Sequence, residues 1–187
     1  MIDRKRVHTH PHIHEVVFYS RDAFFVETVA NFVAAALNAG SAAIVFATKP
    51  HRDLLLEALK RQGVDIDAVI DQGTYIPLDA AQVLSMFMVK GWPDRARFFE
   101  GFDKLIGFAS RAAKNENRRI AVFGEGVALL FDEGNIEAVI RLEQLGSHLA
   151  NKYNVEILCG YPLSFCTTEH ETEIKRICAQ HSAVHSR

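Results

Sequence analysis

The chain has no G-x-x-x-x-G-K-[ST] segment anywhere in its 187 residues. That absence removes the cradle of backbone N–H groups and lysine through which an ATPase or GTPase holds its phosphates. There is no G-x-S-x-G elbow either, so the nucleophile turn of an α/β hydrolase is missing. Basic blocks are absent: the net charge is −2 and both signs are scattered, which gives direct nucleic-acid binding little electrostatic support. No stretch reaches the roughly 18 apolar residues of a membrane span. The start, Met1 to Arg6, runs into polar, histidine-rich sequence without the apolar centre of a signal peptide. Cysteine is scarce: Cys159, Cys166 and Cys178 are an odd count without metal-like spacing, as expected of reduced thiols in a cytoplasmic protein.

What is present suits one domain. The hydrophobic fraction of 49% is ample for a single core, since a chain near this size buries roughly 70% of its unfolded surface. Residues 1–13 read as a histidine-rich arm and 14–187 as the domain. Five apolar runs read as strands: His14–Tyr19, Ala42–Ala47, Thr74–Leu78, Arg119–Phe123 and Val155–Gly160. Between them lie stretches of helical period: Asp22–Ala39, Arg52–Gln62, Asp65–Gln72, Ala80–Met88, Asp94–Lys114 and Asn135–Lys152, with Glu169–Gln180 closing the chain. Asp22 is expected to cap the first helix, and Glu137 to pair with Arg141 one turn on. Uninterrupted apolar strands alternating with helices predict a three-layer αβα fold around a mainly parallel sheet.

Several segments, in order and spacing, carry a resemblance. His14 to Tyr19 (HEVVFY) opens it, and Gly40 leads into the second strand. Leu59 to Asp79 (LKRQGVDIDAVIDQGTYIPLD) follows, then Phe123-Gly124-Glu125, then Cys159 to Phe165 (CGYPLSF). Across about residues 14–181 the chain resembles the MEDS domain, the sensory domain named for methanogens, methylotrophs and the regulator DcmR. The resemblance implies a sheet of the RecA/KaiC-like type without its phosphate loop. It further implies a non-enzymatic domain that senses a small organic ligand and works with a histidine kinase or a transcription regulator, here in trans. A ligand-free interaction module for such a partner and a degenerate nucleotide-binding protein are the rival readings. A homodimer is compatible with the sequence, and no resident cofactor is expected.

In open α/β sheets ligands bind outside the carboxyl ends of the strands. Those ends supply Tyr19, Ser20, Asp22, Thr48, Glu125 and Tyr161 as ligand-binding candidates. Glu125 directly follows an apolar strand and lies between two glycines, which let the backbone turn sharply or a ligand come close. Its alternative role is to cap the next helix or to pair with an arginine or histidine. Tyr19 offers a ring and a hydroxyl, or simply core packing. Asp22 and Asp79 have helix capping as their alternative. His14 sits almost ~20 Å from Tyr19 along the first strand, so it is a structural histidine or part of a second site. Cys159 reads as a small buried hydrophobe rather than a nucleophile. In the arm, His8, His10 and His12 alternate with other residues and fall on one side of an extended chain, where imidazoles suit Zn, Cu or Ni. Weak or adventitious metal binding is the expectation there. The aromatic segment from Phe87 to Phe102 reads as a helix packed on the sheet, or as a lid or dimer surface.

Overall fold

The computed structural model describes residues 13–115 and 119–186. The predicted histidine ligands His8, His10 and His12 lie outside the described residues.

Six strands form one wholly parallel sheet: β1 (Ile13–Tyr19), β2 (Ala43–Ala47), β3 (Tyr75–Asp79), and, beyond a small hairpin, β6 (Ile120–Gly124), β7 (Val155–Pro162) and β8 (Ala183–Ser186). Their spatial order is β3-β2-β6-β7-β1-β8. The five expected strands are all present, and β8 is an addition. This last strand pairs with β1 from Glu15↔Ala183 to Phe18↔Ser186. It is only four residues long and mostly exposed, so it has no apolar run by which to announce itself.

Helices cover both faces. On one lie α1 (Asp22–Asn38), α2 (Lys49–Arg61) and α3 (Ile66–Asp71), packed with Val17, Val45, Ala121 and Phe123. On the other lie α4 (Ala80–Phe87), α5 (Arg95–Ala112), α6 (Gly126–Asp132), α7 (Ile136–Lys152) and α8 (Glu171–Cys178), packed with Val16, Ile44, Val122 and Ile157. Alternate residues of β1, β2, β6 and β7 thus feed two separate cores, which is why these runs are continuously apolar. The result is the expected three-layer fold. No described helix is long and apolar enough to cross a membrane.

Local chemistry sets the element ends. Asp65, Asp79, Asp94 and Asn135 each accept a hydrogen bond from the backbone N–H three residues on, capping α3, α4, α5 and α7. Asp22 does not cap α1: the cap position belongs to Arg21, without a side-chain bond, and Asp22 stands in the first turn. There its negative charge still meets the positive end of the helix. Glu137 does not pair with Arg141. Both its oxygens accept from Arg176 of α8 instead, at 2.6 and 2.9 Å, because a planar guanidinium matches a carboxylate with two bonds. Between α4 and α5 runs a two-residue hairpin loop joining β4 (Met88–Val89) to β5 (Trp92–Pro93). Lys90 and Gly91 both take positive φ, 52° and 80°, as a hairpin loop twisted to match its strands demands. Of the aromatics flanking this hairpin, Phe87, Phe98 and Phe102 are buried, whereas Trp92 remains 53% exposed.

Candidate functional site

A carboxylate from α7 forms the centre of a buried polar cluster. Glu143 stands among Val139, Ile140, Leu145 and Leu149, all in the core, and its side chain is 1% exposed. Burial of an ionised carboxylate is costly unless partners surround it. Tyr161 of β7 donates to Oε1 at 2.5 Å. Around Oε2 gather Nε2 of His14 at 3.1 Å, Nε2 of His181 at 3.2 Å and Sγ of Cys159 at 3.5 Å. His14 Nε2 also lies 3.4 Å from Cys159 Sγ, and the two imidazoles are 4.2 Å apart between ring centroids.

Four distant parts of the chain build this cluster: β1, α7, β7 and the segment after α8. β1 and β7 are neighbours in register, with Val16 opposite Cys159. The segment after α8 is stitched to β1 by Ser182, whose N–H and hydroxyl both donate to the carbonyl of His14, at 2.7 and 3.0 Å. That fixes His181 beside His14. Gly146, one turn after Glu143, brings α7 close to the sheet: a Cβ there would come 3.2 Å from Cε1 of His14.

The electrostatics follow from this packing. Burial raises the Glu143 pKa, but the charges of and hydrogen bonds from His181 and His14 outweigh it and hold the carboxyl well below its ordinary range. Burial opposes charge on His181, yet Glu143 and the carbonyl of Ile177 bring its pKa above the usual value. Cys159 and Tyr161 are pushed well up, first by burial and then by the Glu143 charge. The thiol and phenol are therefore neutral donors here rather than nucleophiles.

Next to the cluster lies a cavity of about 70 Å³. Its walls are apolar: Phe46, Val122 and Ile157 from the sheet, Val83, Leu84 and Phe87 from α4, Phe98 and Phe102 from α5, and Leu142 and Leu149 from α7. Its polar end is His14, Glu143 and Cys159. Outside it, a groove of about 700 Å³ runs between α4 and α5, rimmed by Met86, Arg97 and Phe108. Phe87, Phe98 and Phe102 line both spaces. Phe98 stacks on Phe102 at 4.4 Å and meets Phe87 edge-on at 5.2 Å, so these rings separate cavity from groove.

The residues expected at the strand ends divide between the two faces. Thr48 and Glu125 meet, the Thr48 N–H donating to Oε1 at 2.6 Å. Oε2 of Glu125 lies 2.7 Å from Nδ1 of His51, whose other nitrogen is 4.0 Å from Asp22. The His51 pKa is raised above its usual value by the hydrogen bond to Glu125, against the effect of burial. Tyr19 stacks on Phe25 at 4.0 Å and meets His51 edge-on. Burial, then the charges of Glu125 and Asp22, raises its phenol pKa. Glu125 thus pairs with a histidine: it occupies the N-cap position of α6, but its side chain makes no capping bond there. The space among Phe25, Ala47, His51 and Phe123 is filled. Tyr19, Ser20 and Asp22 border an open hollow with Pro162, Leu163 and Ser164. Tyr161 stands apart from them all, on the Glu143 side of the sheet. Two residues, Ser20 and Arg21, connect β1 to α1, too few to wrap a phosphate, and Asp22 sets a negative charge where one would sit.

Residues 13–182 match the family described as MEthanogen/methylotroph, DcmR Sensory domain. The chain belongs to the MEDS family. MEDS is a family of sensory domains, which fits a signalling role and points away from catalysis. No curated protein matches the chain.

Sequence reasoning missed Glu143, His181 and His51. Glu143 did leave a signal: a charged residue on the apolar stripe of a helix must find partners in the core. His181 left none, because it lies in a short polar segment after α8.

Proposed function

We propose that this MEDS domain senses a small, mostly apolar organic molecule held in the cavity beneath α4. The observation that carries this is the pairing of apolar walls with one polar end, which is the usual composition of a small-molecule site. Size narrows the ligand. A cavity of about 150 Å³ takes up benzene, so one of about 70 Å³ suits a molecule of a few non-hydrogen atoms. Its polar atom would face His14, Glu143 and Cys159, and its carbons would lie against Leu84, Phe98 and Val122.

Access runs through the groove between α4 and α5, past Phe87 and Phe98. Filling the cavity favours a position of α4 that keeps these rings apart, and a ligand shifts the equilibrium only by preferring that state. The moving surface, with exposed Met86 and Phe108, is what a histidine kinase or transcription regulator acting as output would read. The same groove supports a second reading, a ligand-free docking module for such a partner. The short β1–α1 turn and the Asp22 carboxylate argue against a nucleotide.

Native mass spectrometry compared with the denatured mass tests the proposal, followed by thermal shift with alcohols, amines and halides of one to four carbons. A small-molecule increment lost on denaturation, or stabilisation by a subset of the panel that Leu84→Trp abolishes, is expected. A bare mass together with no response to any of these compounds would overturn the sensing cavity and leave the docking module.

A further inference from the structure

We propose that His14, Glu143, Cys159 and His181 bind one divalent transition-metal ion, zinc foremost. Four donor atoms, His14 Nε2, a Glu143 oxygen, Cys159 Sγ and His181 Nε2, all lie within 4.8 Å of one another. Metal–ligand bonds of about 2.0–2.3 Å place the donors of a tetrahedral zinc site roughly 3.3–3.8 Å apart. Four of the six separations are 3.1, 3.2, 3.4 and 3.5 Å, and the two from His181 to His14 and to Cys159 are within 4.8 Å, so closure on an ion draws His181 inward.

The hydrogen bonds outside the cluster are the stronger argument. Nδ1 of His181 lies 2.8 Å from the carbonyl of Ile177, which can only accept, so Nδ1 carries the proton. The Ser147 hydroxyl donates to the carbonyl of Gln180 at 3.0 Å, so towards His14 Nδ1, also at 3.0 Å, it acts as acceptor. Both imidazoles therefore commit Nδ1–H outward and direct Nε2 at the same carboxylate. A ligating histidine is held in this way, its second nitrogen donating to a carbonyl or similar acceptor that fixes ring and tautomer. In neutral rings both inward nitrogens are lone pairs facing a carboxylate, a repulsion that a ring proton or a metal cation at that point relieves. The His181 side chain is wholly buried and its Nε2 has no hydrogen-bond partner, although it lies 3.2 Å from Glu143.

The donor set defines the cation. Two imidazoles, a thiolate and a carboxylate suit zinc and its neighbours, whereas magnesium and calcium take oxygen ligands. On binding, the Cys159 thiol loses its proton to solvent. Thiolate and carboxylate then neutralise a dication that burial would otherwise penalise. The ion would sit at the polar end of the apolar cavity, but the proposal stands on the donor set and not on the ligand reading.

The test uses the full chain with His8, His10 and His12 replaced by alanine and purified without metal resin. Metal content is measured by mass spectrometry, and cobalt(II) is titrated while following thiolate-to-cobalt absorption. About one ion per chain is expected, with a thiolate band that Cys159→Ser abolishes and Cys166→Ser and Cys178→Ser retain. Ser147→Ala, which removes the acceptor behind His14 together with the hydroxyl's bond to the Gln180 carbonyl but no donor atom of the site, is expected to weaken cobalt about 10–100-fold. This milder variant serves where Cys159→Ser does not fold. Metal-free protein that shows no thiolate band on cobalt addition, or a band that survives Cys159→Ser, overturns the site. In the first case the cluster is a hydrogen-bond network alone. Either failure leaves the cavity reading to its own thermal-shift test.

Discussion

Tyr161 donates a 2.5 Å hydrogen bond to Oε1 of Glu143, which leaves Oε2 alone to face His14, His181 and Cys159. The tyrosine thereby divides the carboxylate into a satisfied oxygen and a working one. Tyr161→Phe keeps the ring in the core and strips Oε1 of this donor. An unsatisfied buried acceptor costs about 1–3 kcal/mol. Urea unfolding is expected to show a loss in that range, and a midpoint equal to that of the wild type would contradict it.

Gly126→Ala tests whether the cavity is soft. A Cβ at position 126 would lie 3.3 Å from Cγ and Cδ2 of Leu84, and Leu84 borders the cavity. The leucine can yield into that space, and the mid-helix gain of roughly 0.5–1 kcal/mol for alanine over glycine is an upper bound at Gly126, the first residue of α6. The substitution is expected to be neutral or mildly stabilising without ligand. It should also weaken any compound that stabilises the wild type. Strong destabilisation in the denaturation curve would mean that Leu84 cannot move.

Gly73 and Gly63 make a matched pair. Both have positive φ, 71° and 81°, but a Cβ at 73 would meet the Phe108 ring at 2.9 Å, and at 63 it meets nothing within 4 Å. Each alanine variant bears the left-handed backbone cost of about 1–2 kcal/mol. Gly73→Ala is expected to cost measurably more, the excess reflecting displacement of Phe108. Equal unfolding midpoints for the two variants would show that the ring moves freely.

The His51–Glu125 pair predicts a pH dependence. The folded-state pKa of His51 is raised above the unfolded value near 6.5. Its stabilisation is therefore complete below about pH 6.5 and is lost as pH rises through the folded value. The sign follows because the folded state holds its proton more tightly than the unfolded one. Subtracting the stability of His51→Gln from that of the wild type is expected to give a difference that shrinks as the pH rises above 6.5. A difference that is constant with pH, measured by chemical denaturation at several pH values, would show that the pair is not ionic.

The strands were legible because both faces of a parallel sheet are buried, so Val16 to Tyr19, Ala43 to Ala47 and Ile120 to Phe123 had to be apolar throughout. Helix starts at Asp65, Asp79, Asp94 and Asn135 were legible within a residue or so, since a capping side chain acts on a neighbour three positions away. The meeting of Thr48 with Glu125 was in reach because the carboxyl ends of neighbouring parallel strands must converge. β8 was not legible: a short, largely exposed edge strand is set by its neighbour, through Ser182 on His14. Nor was the cluster around Glu143. His14 and Cys159 are 145 residues apart, and His14 and Ser147 are 133 apart, so no local spacing relates them. The chain alone determined which segments are apolar, where the four side-chain-capped helices begin and that no phosphate loop is present, whereas the start of α2 at Lys49 and the short helix α6 were not legible. Only the tertiary structure decided that β1, α7, β7 and the segment after α8 bring two imidazoles, a carboxylate and a thiol to one buried point. Periodicity encodes which face a residue takes, and packing chooses which faces meet.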